Sequence, residues 1–87
     1  MEVIARKPTG PEQKEMRGKP TWGCGVSAFD WFYDSEERCL IIEGEVTVEY
    51  GGGKSVSFGA DDFVIFPQGL SCVWKVTKAV KKHYVFL

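Results

Sequence analysis

The chain has 87 residues, 44% hydrophobic and 14% aromatic, which predicts one small domain with a packed core and argues against disorder. Eleven Lys and Arg stand against twelve Asp and Glu, so there is no basic field to draw nucleic acid. No run of eighteen apolar residues is present, so no membrane span is expected. The opening "MEVIARKPTG" lacks the apolar segment of a secretory leader. Cys24, Cys39 and Cys72 are odd in number, widely spaced and without a CxxC pair, which predicts reduced thiols in an intracellular protein. Cytoplasm is the simplest compartment, with an organelle address left open.

The N-terminal stretch "EVIARKP" reads as a short edge strand closed by Pro8. "PEQKEMRG" has proline at its start, good helix formers and Gly18 as a stop, which predicts one short helix or a pair of turns. "KPTWGCGVS" reads as loop or irregular strand. From Ser27 the hydrophobic period changes to two. "AFDWFYD" alternates through Phe29, Trp31 and Tyr33, and "SEE" makes a turn.

"RCLIIEGE" reads as a strand buried on both faces, and "EVTVEY" as one with Val46, Val48 and Tyr50 on a single face. "GGGK" supplies positive φ for a hairpin into "SVSF". After the turn "GADD" come "FVIFP", the turn "QGL", and the strands "SCVWKV" and "VKKHYVFL". About eight short strands with turn signals between them predict an all-β sandwich, jelly roll or closed barrel. The domain expected over 27–87 is a β-barrel, with 1–26 a strand and short-helix extension packing on it.

The segment "CLIIEGEVTVEYGGGKSVSFGADDFVIFPQGLSCVWKV" resembles a cupin, a barrel of the RmlC-like jelly-roll type. Glu37, followed after six residues by Gly44, matches the end of the first cupin motif. Pro67 and Gly69 in "FPQGL" match the core of the second. The departures are as informative. Trp31 and Tyr33 occupy the paired histidine positions of the first motif, Cys72 the histidine position of the second, and Asp61 the glycine before the last motif strand. The pattern also resembles very small single-domain cupins related to ureidoglycine aminohydrolase, a manganese enzyme. Three of the four usual metal ligands are replaced here, so that activity is not carried over.

If the cupin register holds, Trp31, Tyr33, Glu37 and Cys72 point into the barrel mouth, with Trp74 on the face of Cys72. Trp31, Tyr33 and Trp74 would form stacking walls, with Glu37 and Cys72 as polar points. Side chains simply filling a small barrel are the plain alternative. His83, the sole histidine, is kept as a sixth pocket candidate because the resemblance includes "KHY".

The function expected is metal-free binding of a small molecule, sugar-like or a flat heterocycle, with no cofactor. The alternative is an enzyme of lyase, isomerase or hydrolase type. It would use Glu37 as general acid or base with Tyr33 or Cys72, helped by a divalent metal such as zinc or manganese on Glu37, Cys72 and His83. "CLIIEGE" carries apolar residues on both parities, more than one packed face needs, which predicts a homodimer.

Overall fold

The alternation from Ser27 onward becomes antiparallel sheet. A computed structural model describes all residues, Met1–Leu87. In chain order the elements are β1 (Ile4–Arg6), α1 (Gly10–Met16), β2 (Thr21–Cys24), β3 (Ser27–Phe32), β4 (Glu37–Tyr50), β5 (Lys54–Gly59), β6 (Phe63–Phe66) and β7 (Ser71–Phe86). The sheet path is β1-β6-β4-β7-β2, with β3 added to β7 and β5 added to β4. The architecture is an all-β jelly roll. No helix is long and apolar enough to cross a membrane.

Two strands differ from the sequence expectation. "RCLIIEGE" and "EVTVEY" are one strand of fourteen residues, β4, and the last two expected strands are one of sixteen, β7. The glycine between the first pair makes a bend rather than a turn. Gly44 has φ +104, and register shifts fall on either side of it, between Ile41 and Glu43, between Glu43 and Glu45, and between Glu45 and Val46. Bulges of this kind let a strand change direction and pass from one sheet layer to the other. β4 therefore pairs β6 with its first half and β5 with its second, while β7 runs along its other edge.

The bent sheet closes over a core of aromatic and branched residues. Phe66 of β6 meets Phe58 of β5 at 6.0 Å and Trp74 of β7 at 5.5 Å between ring centroids. Cys39, Ile41, Val46, Val48 and Val64 are fully buried around them. The 1–26 segment is built into this sheet. β1 pairs β6 and β2 pairs β7, so "TWGC" is a regular strand.

The helix accounts for the other apolar parity of "CLIIEGE". Thr9 caps α1 through a box with Glu12, and Glu12 also takes two hydrogen bonds from Arg6 at 2.8 Å. That guanidinium lowers the Glu12 carboxyl to about 2. So fixed, α1 lays Met16 on Leu40 and Phe63 outside the barrel. Leu40 is thus covered within the chain, leaving Ile42 as the exposed apolar residue of the stretch.

The turn residues follow the same logic. Asp61, at the position where the cupin motif has glycine, adopts φ 73, a conformation aspartate tolerates better than most residues. Gly44 has no such latitude, because a Cβ there would lie 2.4 Å from the Ala79 carbonyl oxygen. Gly44→Ala should therefore destabilise the protein by at least about 2 kcal/mol, combining backbone strain with displacement of β7. Urea denaturation checks this, and an unchanged midpoint would contradict the bend described.

Candidate functional site

The site forms where the first half of β4 meets the last half of β7. Ile41, Cys39 and Glu37 pair with Lys82, Tyr84 and Phe86, and directly opposed residues share a face. That face is the interior. Phe29 and Trp31 come from β3 and Trp22 from β2. Tyr33 follows β3 and is held by its own N–H donating to the Leu70 carbonyl at 2.9 Å and its carbonyl accepting from Gly69 N–H. Its ring stacks on Phe66 at 4.8 Å.

Together these residues and Trp74 line a cavity of about 170 Å³. Trp22, Trp31 and Phe86 form an exposed rim, whereas Tyr33, Trp74, Glu37 and Lys82 are buried. The interior is therefore not filled by its own side chains.

Its deepest polar feature is an ion pair. Lys82 Nζ donates to Glu37 Oε2 at 2.6 Å, and the two side chains are 7% and 2% exposed. The ammonium also lies 4.7 Å from the ring centroid of Trp74 and 5.1 Å from that of Trp22. Burying two charges is expensive, and here the cost is offset by their mutual attraction and by two indole faces. Two polar atoms remain without partners, Glu37 Oε1 and Trp74 Nε1. Tyr33 cannot serve as a base, because burial raises its phenol pKa far above the ordinary value and the Glu37 charge adds to the rise.

Of the six pocket candidates from the sequence, Trp31, Tyr33, Glu37 and Trp74 line this cavity, and two do not. Cys72 faces inward but borders a separate open groove beside Tyr50 and the turn Gly51, Gly52 and Gly53, with its Sγ donating to the Trp31 carbonyl at 3.6 Å. Burial, then the Glu37 charge, pushes its thiol up to about 11. His83 lies on the outer face, because it is one residue out of phase with Lys82 and pairs with Leu40. Its Nδ1 is 3.0 Å from the Lys19 carbonyl.

Glu37, Cys72 and His83 thus do not converge, and no group of three or more His, Cys, Asp or Glu side chains is placed to hold a metal ion. The zinc or manganese site considered from the sequence has no donor set here. Sequence reasoning also missed Lys82, Trp22, Phe29, Tyr84 and Phe86. The signal for Lys82 was present, since it shares period two with Tyr84 and Phe86 in "KHYVF".

The bent antiparallel barrel buries Glu37 at the position that the first cupin motif gives to glutamate, in keeping with the resemblance in the sequence. The profile of the EutQ-like cupin domain matches residues 11–84, and the chain belongs to that family. It is similar to a DUF861 family protein from Thermotoga maritima, with 44% identity and a TM-score of 0.94, covering 99% of this chain and 100% of that one. The EutQ protein of Clostridium difficile is 21% identical at a TM-score of 0.70, over 76% of this chain and 52% of that one. A DUF861 family protein of unknown function from Pseudomonas syringae is 26% identical at 0.70, over 77% of this chain and 29% of that one. No curated protein matches.

The ion pair predicts a non-additive cycle. Lys82→Met leaves the Glu37 carboxylate buried and should cost about 3–5 kcal/mol, whereas adding Glu37→Gln should recover a large part of that loss. Chemical denaturation of the two single variants and the double variant checks it, and additive losses would contradict a direct pair. The thiols give a pH prediction. Above pH 9 the unfolded chain releases thiol protons that buried Cys39 and Cys72 retain, so stability falls as pH rises from about 9 toward 11. Serine at both positions should flatten that alkaline limb in denaturation midpoints measured against pH.

Proposed function

We propose that this chain is a small-molecule-binding cupin whose site works without a metal. The observation that carries this is the buried Glu37–Lys82 pair at the base of an aromatic cavity. Glu37 stands at the glutamate position of the cupin motif, where a metal would normally balance its charge. Here Lys82 supplies the positive charge from within the chain, and indole rings rather than imidazoles surround it. A mostly apolar hollow with a few convergent polar groups has the make-up of a ligand site.

An enzymatic role has less support. Glu37 Oε2 is held by Lys82, the Tyr33 phenol is too weak an acid to exchange protons near neutral pH, and the Cys72 thiol sits too high to be an active nucleophile. Ethanolamine utilisation appears in the name of a Salmonella typhimurium relative that is 22% identical, a likeness that shows fold alone.

All three tryptophans of the chain border the cavity, so their indole signals report on it directly. Screening small ring compounds by NMR should yield ligands that shift these indole N–H resonances. Elemental analysis of untagged protein should find metal far below one per chain. Stoichiometric manganese, iron, nickel or zinc that disappears in Glu37→Ala would overturn the metal-free reading. Failure of every ring compound to move an indole signal would overturn the binding reading.

A further inference from the structure

We infer that the free edge of β3 is the seam of a homodimer, in which β3 pairs antiparallel with β3 of a second copy about a two-fold axis at Phe29. This goes beyond the binding role proposed above and does not depend on it. β3 pairs β7 along its whole length and no other strand, so its outer edge leaves a row of backbone N–H and C=O groups unpaired. Exposed edges are usually blunted by lysine, proline, a bulge or shortness. "SAFDWF" has six residues, no lysine or proline, and an unbroken register against β7. By contrast β1 has three residues, and β5 begins with Lys54 and ends with Gly59. Large apolar side chains crowd the same edge. Val26, Trp31 and Phe32 are 72%, 48% and 58% exposed.

Symmetry and charge fix the register. Opposed residues of an antiparallel pair share a face, so a two-fold axis between two β3 strands passes through a residue and not between two. The middle of β3 offers Phe29 or Asp30. An axis at Asp30 sets two carboxylates directly opposite, which is repulsive. An axis at Phe29 sets Asp30 opposite Ala28 of the second copy, and Ala28 has Lys75 beside it across its own ladder. Lys75 bonds Glu49 at 2.9 Å and has further N–H donors to give, so each aspartate meets a lysine on both sides of the axis. The same register sets exposed Phe32 opposite exposed Val26 of the second copy, and Trp31 opposite Ser27. Trp31 lines the cavity, so the second copy reaches the cavity rim. Exposed Asp30 and Asp34 beside these apolar residues disfavour an anionic lipid surface as the occupant.

The test is light scattering on the eluted peak of gel filtration, with circular dichroism as the check on folding. The wild type should show twice the 9.8 kDa mass of one chain. Asp30→Lys brings two lysines together and should give the single-chain mass, and adding Lys75→Glu should restore the dimer. Both positions are exposed, so both variants keep the fold. Ile42→Ser, at the exposed apolar residue outside the edge, should remain a dimer. Acrylamide quenching of tryptophan emission should rise in Asp30→Lys as Trp31 is uncovered. A monomeric wild type at high concentration would overturn the inference, and sedimentation of that monomer with phosphatidylcholine vesicles would assign the patch to lipid. A dimer that survives Asp30→Lys, or is lost in Ile42→Ser, would place the interface on another face. Failure of Lys75→Glu to restore the dimer would overturn the axis at Phe29.

Discussion

The contact between Glu37 and Lys82 organises this molecule. A carboxylate at the base of an apolar hollow demands a cation, and in this chain the cation is covalently part of β7. Once the lysine is present, its remaining surroundings must tolerate an ammonium. Trp22 and Trp74 do so with their ring faces, which ties the N-terminal strand β2 to the site. The interaction therefore links β2, β4 and β7 at one point.

The long bent strands decide which residues can reach that point. Because β4 changes direction around Gly44, its first half faces the cavity and its second half faces the core beneath. β7 follows the same course and carries Lys82 at one end and Trp74 nearer the other. The helix takes no part in the site. Its function in the fold is to cover Leu40 and Phe63 on the outer face.

Much of the architecture was legible because period-two alternation and glycine turns are local signals. "GGGK", "GADD" and "QGL" became turns, and the motif residues Glu37, Pro67 and Gly69 supplied the register that places Tyr33 in the interior. The runs "RCLIIEGE" and "EVTVEY" read as two strands, whereas the positive φ and close backbone neighbour of Gly44 make a bend within one strand. The site was half legible. Aromatic residues at the histidine positions announced an unusual pocket, but its counter-ion could not be found by looking for metal donors. His83 drew attention as the sole histidine, while the adjacent Lys82, one residue away in parity, faces the interior. Sequence chemistry expects lysine at the surface, and that expectation outweighs the period-two link to Tyr84 and Phe86 until the register against Ile41 is seen.

The pairing order along β4 and β7 has a kinetic consequence. Tyr50 opposes Cys72 near the closed end of the ladder, and Glu37 opposes Phe86 at the far end. Loop-closure entropy favours forming the short-separation contacts first and zipping outward. The charged residues then remain hydrated while the aromatic core condenses, and lose their water only when the last rungs close. A pair desolvated in that order would act as a latch on the assembled barrel, slowing its opening more than it speeds its formation.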